Sequence, residues 1–194
     1  MKVDIIVLNY NGLNFLKTCV QSIYQYTLQP YRLIVVDNGS TETGTAEYLK
    51  QIERKPNTIV VRKEENTGFP GGINAGLEVA ESEIVVLANN DLLFIDKHWL
   101  DKMLRFLRHD VVAVSCKLIY PNNKIQFAGS TLDPHAFSSY NLFRHRGRFE
   151  RRELYSVESE EMPFVTFALV VADRKALGKL DTIYGKGTFE DIDK

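Results

Sequence analysis

The chain is organised around short, almost wholly apolar segments that alternate with segments of helical character. The predicted strands are residues 3–10, 31–40, 58–63, 84–87 and 111–120. They are rich in β-branched residues and show little apolar–polar alternation, which is typical of strands buried on both faces of a parallel sheet. Because helical segments separate them, the pattern predicts an α/β fold with a mostly parallel central sheet and helices on both faces.

The helical segments carry start signals of their own. Asn14 is predicted to cap the first helix, and Asp96 is predicted to cap a later helix that reaches Leu107. A polar helix is expected over about residues 45–53. Each of these helices joins two predicted strands, so the sequence reads as successive βαβ units.

Size and charge narrow the class of protein. A chain of 194 residues with 44% hydrophobic residues can build one domain with a sizeable core. A net charge of −1 gives no global field that favours nucleic acid. No apolar run approaches the length of a bilayer span and no signal peptide is recognised, so a cytoplasmic protein is expected. Cys19 and Cys116 form no CxxC pair and are predicted to be small buried hydrophobes.

Polar side chains follow several predicted strands at the point where the apolar run ends. Asn9 and Tyr10 follow the first strand, Asp37 and Asn38 the second, and residues 89–91 the fourth. In parallel sheets the ligand binds outside the carboxyl ends of the strands, so these groups are expected to share one edge and face a ligand. Asp37 can accept hydrogen bonds from a ribose or a base; an Asx-turn on its own backbone is the equally weighted alternative.

A glycine-rich segment, ENTGFPGGINAG, occupies residues 65–76. Gly68, Gly71 and Gly72 open a helix there, and glycine lets the backbone approach a ligand closely. The segment contains neither the GxGxxG of dinucleotide-binding domains nor the Gly-Lys-Ser/Thr of a P-loop. An ordinary loop and helix start is the alternative interpretation.

Two acidic motifs are candidates for chemistry. Asp91, with Asn89 and Asn90 before it, can supply oxygen ligands to a hard divalent cation when a diphosphate completes the coordination; a turn or helix cap is the alternative. The apolar residues on both sides weaken that alternative, because a spare carboxylate is costly in an apolar setting. Glu190 and Asp191 lie among apolar neighbours, where a carboxylate can act as a general base. An exposed acidic helix start is the commoner reading of such a pair.

The remaining charged groups are less informative. Residues 144–152 form a dense basic segment that could hold a phosphate, although a solvated loop is the simpler interpretation. The four histidines show no metal-ligand spacing.

Taken in order, these segments resemble the family-2 glycosyltransferases with the GT-A fold. The similarity is carried by IIVLNYNG, VVDNGSTETG, ENTGFPGGINAG, VVLANND and LGKLDTIYGKGTFEDID, and it covers nearly the whole chain. It is strongest to the bacterial branch that makes surface polysaccharides, including rhamnosyltransferase-like enzymes, which often carry NND where other members carry DXD.

The resemblance implies a role for each motif. The residues that would surround a nucleotide sugar are Leu8, Asn9, Tyr10, Asp37, Asn38, Asn66, Gly68, Gly72, Asn74 and Asn90. Asp91 would hold Mn²⁺ or Mg²⁺ on the donor diphosphate, and Asp191, with Glu190 beside it, would be the general base of an inverting transfer.

The resemblance also implies partners and an organisation. The donor would be a UDP-, dTDP- or GDP-linked sugar, and the acceptor a saccharide or a lipid-linked saccharide, with no nucleic acid involved. Residues 1–194 would form one catalytic domain, in which 1–118 bind the donor and 119–194 face the acceptor. A homodimer and peripheral association with the inner face of a membrane are compatible with this class.

Two departures from the family pattern leave alternatives open. Asn89 stands where the first DXD carboxylate is expected, and the chain stops at Lys194, where relatives usually continue, so the domain can be a truncated one. The alternatives are a non-catalytic module that binds a nucleotide sugar, and a nucleotidyltransferase. The first loop, NYNGLNF, lacks the glycine-rich basic character of a nucleotidyltransferase, and the missing GxGxxG disfavours a plain NAD-binding domain.

Overall fold

The computed structural model describes residues 2–108, 110–132, 143–154, 159–162 and 164–183. The strands are β1 (Val3–Asn9), β2 (Tyr31–Asn38), β3 (Thr58–Lys63), β4 (Ile84–Asn89), β5 (Ala113–Ser115), β6 (Leu118–Ile119), β7 (Ile125–Phe127), β8 (Ser130–Leu132), β9 (Phe143–His145) and β10 (Leu169–Asp173). The helices are α1 (Leu13–Tyr26), α2 (Thr45–Glu53), α3 (Gly68–Val79), α4 (Trp99–Leu104) and α5 (Arg174–Leu177), with a 3₁₀ turn at Arg152–Leu154.

A six-stranded sheet in the order β3-β2-β1-β4-β10-β5 forms the centre of the molecule. The β1–β2, β2–β3 and β1–β4 pairs are parallel, whereas β10 runs antiparallel to both of its neighbours. This confirms the predicted α/β fold with a mostly parallel sheet. It also shows that the second half of the chain supplies an interior strand, β10, between β4 and β5.

The two faces of the sheet carry separate apolar clusters, because side chains alternate between faces along each strand. Ile5 and Val7 of β1 face the cluster that contains residues of α1, α2 and α4. Ile6 faces the other cluster, which contains residues of α3 and α5. Both faces are therefore covered, and the polar groups of the sheet are confined to its two ends.

The amino-terminal end of the sheet is closed by a buried ion pair. Asp4 is fully buried and accepts bonds from Arg32 Nε at 2.9 Å and Nη2 at 2.7 Å, and from the backbone N–H groups of Glu81 and Ser82. Burial alone would raise the pKa of Asp4, but these hydrogen bonds outweigh it and the pKa is lowered. A cavity of about 540 Å³ lies at this same end, lined in part by Lys2, Tyr24 and Tyr31.

Several boundaries differ from the sequence predictions. Helix α1 begins at Leu13 after a left-handed Gly12, and Asn14 does not cap it; the Leu13 N–H donates instead to Glu42 Oε2 at 2.8 Å. Asp96 does not cap α4 either: His98 occupies the cap position, and the Asp96 side chain accepts from the His98 N–H. That helix ends at Leu104, short of the predicted end.

The predicted fifth strand is divided into β5 and β6, and only β5 joins the central sheet. The second segment pairs with β7 in a small separate sheet, and β8 pairs with β9 in another. Within the described parts of the chain, no helix has the length and apolar character needed to cross a membrane.

Candidate functional site

The carboxyl ends of β2, β1 and β4 lie side by side at one edge of the sheet, as the sequence predicts. Asn9 of β1 is in register with Asp37 of β2, and Leu8 is in register with Asn89 of β4. The polar residues at the ends of these strands therefore meet at one place, which we call the strand-end rim: Asn9, Asp37, Asn38, Asn90 and Asp91.

Asn9 is at the centre of the strand-end rim and is fully buried. Its Nδ2 donates to Asp37 Oδ1 and to Ser40 Oγ, both at 3.1 Å, and its Oδ1 accepts from Asn90 Nδ2 at 2.7 Å. One side-chain amide thus joins the ends of three adjacent strands.

Asp37 is also buried, with its side chain 0% exposed, and both oxygens have partners. Asn9 binds Oδ1, and Arg62 Nε of β3 donates to Oδ2 at 3.1 Å. The Arg62 side chain is 47% exposed, so its guanidinium lies between the carboxylate and solvent. Arg62 is not among the residues predicted from the sequence, because its place beside Asp37 depends on the register between β2 and β3.

Asn38 ties β2 to the glycine-rich segment. Its Nδ2 donates to Asn66 Oδ1 at 3.1 Å and to Gly68 O at 2.9 Å. Its Oδ1 accepts from the Thr67 N–H at 3.1 Å and from Thr67 Oγ1 at 3.0 Å. Every hydrogen-bonding position of this amide is used, so the start of α3 is fixed against the end of β2.

Gly72 and Leu8 are in direct contact beside Asn38. A Cβ atom at Gly72 would collide with Leu8 Cδ1 and lie 3.2 Å from Asn38 Nδ2. The structure therefore brings the glycine-rich segment against the end of β1, and the absence of a side chain at Gly72 leaves room for Leu8. Tyr10 lies at the same end of β1 and is half-exposed.

Asn90 and Asp91 occupy the turn that follows β4. Asn90 Nδ2 donates to Asn9 Oδ1 and to the Asn11 carbonyl at 3.2 Å, which uses both of its N–H groups. Asp91 is exposed, and burial together with the charge of Asp91 raises the pKa of the neighbouring Cys19 thiol to about 12. Of the apolar residues that follow this turn, Phe94 is buried and Leu92 packs against the core, whereas Leu93 is 61% exposed, so the expected apolar flank is buried only in part.

The oxygen atoms available at this turn suit a hard divalent cation only if a bound phosphate supplies further coordinating oxygens. The described residues contain no cluster of three or more His, Cys, Asp or Glu side chains suited to a metal ion. Asp91 offers one exposed carboxylate, and Asn90, with both N–H groups committed, keeps its amide oxygen for other contacts. Mg²⁺ is commonly held by one or two carboxylates plus substrate phosphates, so this arrangement suits such an ion on a diphosphate.

Asn74 differs from the other residues of the glycine-rich segment. Its Nδ2 donates to the Leu180 carbonyl and its Oδ1 accepts from the Leu180 N–H, both at 2.8 Å. The side chain therefore anchors the segment that leads from α5 towards the carboxyl terminus. Glu190 and Asp191 lie outside the described residues.

The basic segment is partly neutralised within the described part of the chain. Arg146 forms an ion pair with Glu160, and Arg151 lies 3.7 Å from Glu153. Arg148 lies over the Phe149 ring, 5.0 Å from its centroid. These contacts favour a folded surface segment with its own partners.

The sheet order and the strand-end rim together define a GT-A fold. The same fold occurs in the mannosyltransferase PcManGT of Pyrobaculum calidifontis, crystallised with GDP-mannose and Mn²⁺ (TM-score 0.65, 24% identity, 93% of this chain and 48% of that one). It also occurs in GalNAc-T7 (TM-score 0.73, 14% identity, 99% and 39%). The chain belongs to the glycosyl transferase family 2, whose sequence profile matches residues 4–181.

Two similar sequences are parts of larger proteins. The chain is 33% identical to protein y4gI of Sinorhizobium fredii, over 98% of this chain and 22% of that protein. It is 30% identical to the O-antigen biosynthesis protein RfbC of Myxococcus xanthus, over 74% of this chain and 11% of that protein. The chain thus spans less than a quarter of the length of these two relatives.

Proposed function

We propose that this chain is a glycosyltransferase domain that transfers a sugar from a nucleotide-diphosphate donor to a hydroxyl acceptor, with inversion at the anomeric carbon. The observation that carries the proposal is the strand-end rim: side chains of three strand ends, joined by hydrogen bonds at the edge where α/β proteins bind ligands. Family membership supplies the reaction class.

The donor would lie across the strand-end rim. Asp37 and Arg62 would be at the end that receives the base and ribose, and Asn90 and Asp91 at the end that receives the diphosphate. Asn38 would hold Asn66 and Gly68 in place along the glycine-rich segment, where its bonds to both support that role. Leu8, Tyr10 and Gly72 would shape the intervening wall.

A divalent cation, Mn²⁺ or Mg²⁺, would offset the negative charge that develops on the departing nucleoside diphosphate. In this chain Asp91 and the Asn90 amide oxygen would hold it together with phosphate oxygens. Asp191 would accept the proton of the acceptor hydroxyl as that oxygen attacks the anomeric carbon from the face opposite the leaving group, with Glu190 beside it. A general base of this kind contributes on the order of 10² to 10⁴ in rate.

The wider context of the reaction is also a proposal. RfbC is named for O-antigen synthesis, and a second relative, TuaG of Bacillus subtilis, is named as a putative glycosyltransferase of teichuronic acid biosynthesis. These names favour a role in cell-surface polysaccharide synthesis with a saccharide or lipid-linked acceptor. The rhamnosyltransferase-like branch stays a prediction, as do the single-domain organisation over residues 1–194 and any homodimer.

Donor binding is tested with a panel of UDP-, GDP- and dTDP-sugars, each titrated calorimetrically with Mn²⁺ and with EDTA. We expect one nucleotide class to bind, and to bind more tightly with Mn²⁺. If none of the three classes binds in either condition, the proposal is wrong. Binding without release of nucleoside diphosphate, in the presence of saccharide acceptors or water, would instead identify a module that holds a nucleotide sugar without transferring it.

Two substitutions separate the proposed roles. Asp91→Ala should remove the Mn²⁺-dependent gain in donor affinity and leave the metal-free affinity nearly unchanged. Asp191→Asn should abolish turnover while donor binding stays intact. Asp181→Asn, near the described end of the chain, serves as a matched carboxylate control for both. Unchanged Mn²⁺-dependent affinity in Asp91→Ala, or loss of donor binding in Asp191→Asn, would contradict the assignment concerned.

A further inference from the structure

We propose that Asn9 is a positioning residue that couples the base end of the donor site to its diphosphate end, without its own side chain contacting the donor. The inference rests on the proposed function, since it assumes a nucleotide at the strand-end rim. It changes the role that resemblance implies for Asn9, from a nucleotide contact to the link between two contacts.

Burial is the first observation behind this role. Asn9 is 0% exposed, and its two amide functions already make three hydrogen bonds within the protein. A nucleotide therefore cannot reach the side chain unless these bonds break. A residue at the same end of β1 that is half-exposed, such as Tyr10, has no such constraint.

The orientation of the Asn9 amide is fixed by its partners. Asp37 Oδ1, as a carboxylate oxygen, can only accept, so the nitrogen of Asn9 must face it. The oxygen of Asn9 must then face Asn90, which donates through Nδ2. Because the amide is planar and rigid, a movement of Asp37 is transmitted to Asn90 through one side chain.

Each end of this link lies where a different part of the donor would bind. At one end Asp37 is held between Asn9 and Arg62. At the other end, both N–H groups of Asn90 are held by Asn9 and the Asn11 carbonyl, which sets the direction of its amide oxygen beside Asp91. Residues that hold a metal ligand in place typically change metal affinity by about 10- to 100-fold when mutated, so the expected effect of losing Asn9 is on this scale.

The test uses the full chain and the nucleoside diphosphate, among UDP, GDP and dTDP, that the wild type binds most tightly. Two quantities are measured by calorimetry: the dissociation constant in EDTA, which reports the base end, and the factor by which Mn²⁺ improves it, which reports the diphosphate end. Asn9→Ala should weaken both by on the order of 10-fold. Asn14→Ala, an exposed asparagine at the start of α1, is the matched control and should change neither.

A double-mutant cycle then tests the coupling directly. Asn90→Ala removes only the diphosphate end of the link, yet it should weaken metal-free binding in the wild type because Asn9 loses a partner. In the Asn9→Ala background the same substitution should have no further effect on metal-free binding. Equal effects of Asn90→Ala in both backgrounds would overturn the coupling, as would unchanged metal-free binding in Asn9→Ala.

If Asn9→Ala does not fold, the wild type alone decides the question. The side-chain ¹⁵N–H resonances of Asn90 should shift when the same nucleotide is added without metal, together with those of Asn9. A shift confined to Asn9 would overturn the proposal. Failure of wild type to bind any of the three nucleotides refutes the donor site itself, whereas binding with additive substitution effects refutes only the role of Asn9.

Discussion

Asn38 offers the sharpest test of how the glycine-rich segment is held. Its side chain is buried and makes four hydrogen bonds, to Asn66 Oδ1, the Gly68 carbonyl, the Thr67 N–H and Thr67 Oγ1. Asn38→Ala removes all four and leaves a space where the amide was. Asn38→Asp keeps the shape but places an acceptor, where the Asn38 NH₂ was, against the oxygens of Asn66 and Gly68.

The expected loss in the free energy of unfolding depends on which groups lose a hydrogen-bond partner. Each bond contributes about 0.5–1.5 kcal/mol net, so four set an upper range of about 2–6 kcal/mol. Asn66 Oδ1 keeps the Gly68 N–H as a donor at 2.8 Å, and Thr67 is only partly buried, so water can replace some of the loss. We therefore expect Asn38→Ala to lower the free energy of unfolding by about 2–4 kcal/mol. Asn38→Asp should cost more at neutral pH, because an ionised carboxylate is buried against two acceptors.

Urea denaturation, with the wild type and Asn14→Ala measured beside the two variants, gives these free energies. For a domain of this size the loss in Asn38→Ala corresponds to a melting temperature lower by roughly 5–15 °C. Asn14→Ala should stay within about 0.5 kcal/mol of the wild type, since its side chain is exposed and does not cap α1. The reasoning fails if Asn38→Ala also lies within that margin, or if Asn38→Asp is the more stable of the two.

Three further substitutions or reactions have definite expected outcomes. Asp4→Asn should lower the free energy of unfolding at neutral pH. Burial alone would raise the pKa of Asp4, but its hydrogen bonds with Arg32, Ser82 and Glu81 together lower it, so the difference from wild type should shrink as acid denaturation is followed below about pH 4. A constant difference would contradict this reasoning. Burial raises the pKa of Cys19 to about 12 and of Cys116 to about 11. A thiol reagent at mildly alkaline pH should therefore label the folded chain far more slowly than the urea-unfolded chain. Equal labelling rates would refute this prediction. Gly76→Ala should lower the free energy of unfolding by about 1–3 kcal/mol in thermal melts, because the new methyl group lies 2.5 Å from a side-chain carbon of β1. A more stable variant would show that α3 moves away from β1 without cost.

The elements that could be predicted from sequence are those whose signal is local. Strand β3 and helix α2 begin and end where the sequence places them, at residues 58–63 and 45–53. The convergence of Asp37 and Asn90 at one edge was also predictable, because parallel strands with helical crossovers present their carboxyl ends together.

The features that escaped prediction depend on distant partners. The segment at residues 164–173 is strongly apolar, but nothing in it specifies that β10 inserts antiparallel between β4 and β5. The α1 start is similar: its first N–H is satisfied by Glu42 from the next βα loop, so the nearby Asn14 is not needed as a cap. Arg62 becomes visible only when β2 and β3 pair in register and place it beside Asp37.

The strand-end rim consists mostly of asparagine side chains, which are neutral, so its charge lies on the two carboxylates, Asp37 and Asp91. An asparagine side chain both donates and accepts, so Asn9 and Asn38 can join strand ends to loops without burying a charge. Of the two carboxylates at the ends of β2 and β4, Asp37 is buried against the Arg62 guanidinium, whereas Asp91 is exposed and forms no ion pair with any described residue. The negative charge that is free to attract a cation is therefore concentrated at Asp91. A base can contact Asp37 only if Arg62 moves aside; otherwise the base contacts Arg62 instead. Recognition of the nucleotide at this end should therefore depend on the Asp37–Arg62 pair and not on the carboxylate alone.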